Sequence, residues 1–141
     1  MSELVNPFID AEELLHRQVH PEFIQAGEVT SQAFRPFPRD DGKLSVDRNT
    51  LASAQEAYER HIQKIDPVKQ TNLESAGTWS VSVAECLELE LPPISDPIAE
   101  PEPNPAHCLI QFSDYSGSQR KKRAKKLCDK AIKRGATYRP G

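Results

Sequence analysis

Apolar residues along this chain change spacing several times, and each change predicts a new element. From Asn49 to Ile65 the residues Leu51, Ala54, Tyr58, Ile62 and Ile65 recur at three- and four-residue steps. That spacing puts them on one face of a helix capped by Asn49 or Thr50 and closed by Pro67. After Gly77 the period drops to two, with Trp79, Val81 and Val83 alternating with Ser80 and Ser82. Leu87, Leu89 and Leu91 keep the same parity, so a strand is expected with a bulge or break near Ala84–Cys86, where Glu85 falls on the apolar side. Nearer the start, Asp10 and Glu13 have capping-box spacing, which predicts a short helix from Ala11 to about Gln18 that ends before His20-Pro21. Pro21 opens a further single turn stopped by Gly27. Extended segments then run to Arg48, with a turn at Asp40-Asp41-Gly42 and a strand at Leu44–Val46. A second-half strand is expected over His107–Phe112, and a last helix from Ser118 to the stop at Gly135.

The order of these elements predicts an α+β fold, a small, mainly antiparallel sheet packed with two or three helices, the last of them basic and amphipathic. The 141 residues fit one domain spanning 1–141, with a Pro-rich acidic loop at 92–106 and a basic helix at 118–134. The chain is 37% hydrophobic and 28% charged, which suits a folded domain with long polar loops. No apolar run approaches the roughly 20 residues needed to cross a bilayer, and the first residues lack the pattern of a signal peptide. The expectation is a cytoplasmic protein with no membrane contact.

Charge divides the chain more sharply than its net value of −3 suggests. From Arg120 onward there are ten Lys or Arg against one acid, about +9; the preceding residues hold eight against twenty, about −12. In the last helix Ala124, Leu127, Cys128 and Ala131 form a narrow apolar stripe. Lys122, Arg123, Lys126, Lys130, Lys133 and Arg134 share the remaining surface with Lys125. Three roles fit this ridge. It can neutralise nucleic-acid phosphates, pair with an acidic partner or with the acids Glu85, Glu88, Glu90, Glu100 and Glu102 of its own body, or simply be solvated. The overall acidity and the lack of an aromatic residue inside the cluster restrain the first, and the lack of Trp or Phe on the stripe argues against a lipid surface. The leading expectation is a non-catalytic binding or accessory protein, antitoxin-like or immunity-like, that recognises an acidic protein or nucleic acid through this helix.

The alternative is a small nucleotide-handling enzyme, such as an ADP-ribosyl transferase, built on residues 20–48. That segment carries His20, Ser31, Gln32, Arg35, Arg39, Asp40, Asp41, Ser45 and Arg48. Arginine forks suit phosphates, His107 adds a titrating group, and Glu85 is the carboxylate for an oxocarbenium charge. The opposing expectation is that His20 caps a turn, that the arginines pair with local acids, and that Glu85 faces water. Glycine-rich phosphate loops, HExxH and GxSxG are absent from the sequence, and no cofactor is implied. Cys86, Cys108 and Cys128 form no CxxC pair and read as reduced, partly buried thiols. His16 and His20 are four apart, but Pro21 spoils metal spacing, so no metal site is expected. The run from His20-Pro-Glu-Phe-Ile through Ser31-Gln-Ala-Phe-Arg to Leu44-Ser-Val-Asp-Arg is similar to small bacterial proteins, a likeness that implies no family and no activity.

Overall fold

The computed structural model describes residues 10–37, 40–99 and 103–141. Arg39 of the polar segment and Glu100 and Glu102 of the acidic body lie outside the described residues. The fold is α+β, as the element order predicts. A five-stranded antiparallel sheet has the order β5-β1-β4-β7-β6, built from β1 (Leu14–Gln18), β4 (Lys43–Arg48), β5 (Thr78–Ser82), β6 (Pro93–Ser95) and β7 (His107–Gln111). Strands β2 (Ile24–Gln25) and β3 (Glu28–Val29) form a separate ribbon. Its turn uses Ala26 and Gly27, both at positive φ, the backbone twist that matches paired strands. The helices are α1 (Ala54–Ile62), α2 (Val83–Glu88) and α3 (Gly117–Arg134).

Register sorts the sheet into two unlike faces. Leu15 lies opposite Val81 and Arg48, Val46 opposite Cys108, and Leu44 opposite Ile110, so one face is apolar. The α3 stripe of Ala124, Leu127, Cys128 and Ala131 packs on it as predicted, in one core with Phe34 and Phe112. The other face carries His16 opposite Ser80 and Asp47, with Asp47 also opposite His107. Helix α1 packs against β1 and β5 on this polar side, where Thr78 Oγ1 donates to the Ala54 carbonyl at 3.1 Å. All five residues of β5 are buried. Ser80 and Ser82, the polar positions of that alternation, are covered and satisfied by hydrogen bonds, the condition for burying polar groups.

Each α-helix begins with a serine capping box: Ser53 with Glu56, Ser82 with Glu85, and Ser116 with Gln119. These boxes correct three boundaries. The first-half helix starts after Ser53, so Leu51 and Ile65 lie outside it at 51% and 54% exposure and Ala57 is its buried residue. The long second-half strand breaks at Ser82 into α2, because the Glu85 carboxylate accepts from the Ser82 amide at 2.8 Å. Glu90 at φ +58 ends that helix and turns Leu91 back into the core. The last helix is capped by Ser116 rather than Ser118.

The helix expected over Ala11–Gln18 is a turn followed by β1. Leu15 and Val19 are both fully buried, and a spacing of four satisfies a helix and a strand equally. Pairing of β1 with both β4 and β5 decides for the strand. Within the Pro-rich loop, β6 pairs with β7 at the sheet edge, where a proline removes no needed ladder bond.

Candidate functional site

Helix α1 covers only part of the polar face. Ser45 and Asp47 of β4 and His107 of β7 therefore floor a cleft of about 590 Å³. Its walls are Arg60, His61 and Lys64 from α1, His20 and Phe23 from the turn after β1, and Ile98 and Asn104 from the loop before β7. The volume lies within the roughly 300–1,000 Å³ typical of small-molecule sites. The chain has four histidines, and all four line this cleft.

Each histidine is held differently. His16 is buried in β1; its Nε2 lies 2.9 Å from Asn49 Oδ1 and its Nδ1 2.7 Å from Ser80 Oγ. The amide oxygen accepts from Nε2–H, and Nδ1 shares a hydrogen bond with the Ser80 hydroxyl. Burial lowers its pKa below the usual histidine value, against opposing contributions from the Asn49 hydrogen bond and from Asp47 and Glu13. His61 is lowered too, first by burial and then by the nearby charges of Lys64 and Arg17. His20 caps the turn that follows it by accepting from the Glu22 amide at 3.0 Å.

His107 joins two other residues of the cleft region. Its Nδ1 lies 3.0 Å from the Asp96 carbonyl and 3.1 Å from Asp96 Oδ2, while Nε2 lies 3.2 Å from Ser45 Oγ. Asn104, nearly fully buried, donates from Nδ2 to Asp47 Oδ1 at 3.0 Å.

Three cations, Arg17, Arg60 and Lys64, line the cleft. Arg17 lies where β1 and β4 part, and donates to the carbonyls of Ala33 (2.8 Å) and Ser45 (3.0 Å). These bonds satisfy backbone oxygens that the ladder leaves open. Burial pulls its pKa down to about 10, which still leaves it charged at neutral pH. Arg60 donates to the Pro103 carbonyl at 2.7 Å, and its Nε–H is buried without a partner among the described residues. With Lys64 these groups bring three cations to the cleft, whose floor also carries the Asp47 carboxylate.

Of the residues singled out for a nucleotide site, His20, Ser45 and His107 meet in this cleft, whereas Arg48, Arg35 and Glu85 do not. Arg48 forms a forked pair with Glu13, at 3.0 and 3.2 Å, in which Glu13 also accepts from Thr50. Arg35 lines a neighbouring depression beside Phe37 and Arg120. Glu85 is bound through both oxygens by Arg134, at 2.9 and 3.0 Å, on the far side of the sheet. A single site joining His20, Arg35, Arg48, Glu85 and His107 is therefore not formed, because local pairing claims the two outlying arginine and glutamate side chains.

The basic ridge divides as well. Arg134 pairs with Glu85, Lys130 with Glu88 at 3.1 Å, and Arg123 with Glu90 at 3.7 Å while stacking 3.7 Å above the Tyr115 ring. These three cations fasten α3 to α2 and the segment that follows it. Lys122, Lys126 and Lys133 lie on the exposed side and form no ion pair among the described residues.

The three thiols are buried, and burial raises the pKa of Cys108 to about 12 and of Cys128 to about 11, with Cys86 higher still. None is a thiolate nucleophile at neutral pH. Among the described residues no cluster of three His, Cys, Asp or Glu side chains is placed to hold a metal, and no helix is long and apolar enough to cross a membrane.

Sequence reasoning missed Arg17, Asp47, Arg60, His61, Lys64 and Asp96 as members of the site. A usable signal was present in the alternation of Ser45 and Asp47 with Leu44 and Val46, which marks a polar strand face. No protein-family model, curated protein or solved structure matches the chain.

Proposed function

We propose that this protein binds a small anionic ligand of nucleotide size in the polar cleft, with its phosphate or carboxylate met by Arg17, Arg60 and Lys64. The convergence of Arg17, Arg60 and Lys64 with four histidines on one concave surface carries this reading. The Arg60 Nε–H, which has no partner among the described residues, supports it, since a buried donor without an acceptor is costly and an anionic oxygen would relieve that cost. Titration calorimetry with ADP and, separately, inorganic phosphate tests it. Saturable one-to-one binding is expected, weakened about 10-fold or more in Arg60→Gln and Lys64→Ala, as loss of a charge-assisted hydrogen bond implies. Absence of heat from both probes at millimolar concentration overturns it.

A second role rests on α3. The exposed Lys122, Lys126 and Lys133, unlike their paired neighbours, are free to meet an acidic protein or nucleic acid. Polyglutamate and duplex DNA serve as probes. Lys-to-Glu reversal at all three positions abolishes capture of the probe while leaving the melting temperature unchanged; undiminished capture rejects this role.

A further inference from the structure

Ser45, His107 and Asp96 form a chain of hydrogen bonds whose proton positions are fixed by their partners. Both groups facing His107 Nδ1, the Asp96 carbonyl and its carboxylate, are acceptors only. Nδ1 must therefore carry the proton, and the lone pair of the neutral ring sits on Nε2, 3.2 Å from Ser45 Oγ. This is the arrangement in which an imidazole can take a proton from a serine hydroxyl while a carboxylate holds it in the correct tautomer. Ser45 is exposed and lines the cleft beside His107, and its own carbonyl is pinned by Arg17 at 3.0 Å. The buried Ser80–His16–Asn49 chain shows the contrast. Its serine is fully covered and no substrate can reach it.

We propose that Ser45 is a nucleophile with His107 as its general base and Asp96 as the residue that positions His107, and that the cleft transfers the acyl group of an ester to water. In the first step Ser45 Oγ bonds to the ester carbonyl carbon and its proton passes to His107 Nε2. The tetrahedral intermediate collapses by breaking the bond to the leaving oxygen, which departs with the electron pair and takes that proton. Water then repeats the sequence on the acyl-serine, releasing the carboxylic acid and restoring Ser45. The substrate class, an ester with an anionic end, rests on the anion-binding reading above; the reactivity of Ser45 does not.

The test uses a fluorophosphonate probe on the full chain. Ser45 Oγ bonds to phosphorus, the P–F bond breaks, and fluoride leaves while the hydroxyl proton goes to His107. Peptide mass mapping is expected to place the adduct on Ser45. Ser45→Ala removes it, His107→Ala slows it by about 10²-fold or more, and Ser118→Ala, on the surface of α3, leaves it unchanged. Asp96→Asn is expected to slow labelling while leaving phosphate affinity unchanged, a separation that loss of folding would not give. No adduct on the folded protein, or an adduct that survives Ser45→Ala, overturns the proposal. Labelling without phosphate binding would retain the nucleophile and reject the anionic substrate class; phosphate binding without labelling would do the reverse.

Discussion

Glu13 is the most consequential single carboxylate in this fold. Its side chain is 2% exposed, and it accepts two hydrogen bonds from Arg48 and two from Thr50. It thereby ties the start of β1 to the end of β4 and to the turn that leads into α1. Burial alone would raise its pKa, but the hydrogen bonds from Arg48 and Thr50 outweigh this and the pKa is lowered. Removing it takes from Arg48, whose side chain is only 13% exposed, the carboxylate that meets its guanidinium fork. Breaking a buried pair from one side costs about 3–5 kcal/mol, and the slight exposure of Arg48 favours the lower end. With an unfolding entropy of about 2.1 cal/mol/K per residue, a loss of about 3 kcal/mol in a chain of 141 residues lowers the melting temperature by roughly 10 °C. Thermal and urea unfolding of Glu13→Leu, Arg48→Met and the double variant measure this. The double variant should recover most of the loss, because an apolar pair of similar volume is often neutral where a broken ion pair is not. A Glu13→Leu cost under about 1 kcal/mol, or strict additivity in the cycle, would refute the reasoning.

Three other outcomes follow from the same coordinates. His16 and His61 have lowered pKa values, so the unfolded chain binds protons more readily than the native one as pH falls below about 6.5. Stability measured by urea unfolding should be full above that pH and decline beneath it, and His16→Asn should reduce the slope between pH 6.5 and 5. The α3 cations should separate by side: Arg134→Glu sets two carboxylates against each other and lowers the melting temperature by several degrees, whereas Lys126→Glu leaves it within about a degree. Native protein should react with an aromatic disulfide reagent at none of its three cysteines within minutes, and at all three in denaturant, since burial raises every thiol pKa.

How far these features could be read in advance depended on whether the signal was local. The stripe of α3, the turn at Asp41-Gly42 and the strands at Leu44–Val46 and His107–Phe112 rest on spacing within one element, and they stand in the fold. Asp41 and Gly42 both adopt positive φ, and a Cβ on Gly42 would meet Ser113 Cα at 2.8 Å, so glycine there answers a tertiary constraint as well as a turn. Elements failed where the pattern was degenerate, as with Leu15 and Val19, or where a capping signal was overlooked. Ser82-Val83-Ala84-Glu85 has the spacing that starts a helix, but the alternation on either side of it suggested one long strand.

The cleft was the least legible part. Its residues come from β1, β4, β7, α1 and the loops before β5 and β7, and only the sheet order brings them together. Charge asymmetry pointed to α3, yet Arg123, Lys130 and Arg134 are engaged with α2 and the residues just after it. The surplus positive charge thus serves docking first, and only its outer lysines remain for a partner.

The most direct test of the cleft as the ligand site is a proton NMR titration of the imidazole resonances. The chain has four histidines, all on this surface, so the probe is confined to the site in question. Adding ADP at fixed pH should shift the His61 and His107 signals along one saturating curve, move buried His16 least, and require about 10-fold or more ADP for the same shifts in Arg60→Gln. Histidine signals that stay fixed while ADP reaches millimolar concentration would contradict the account.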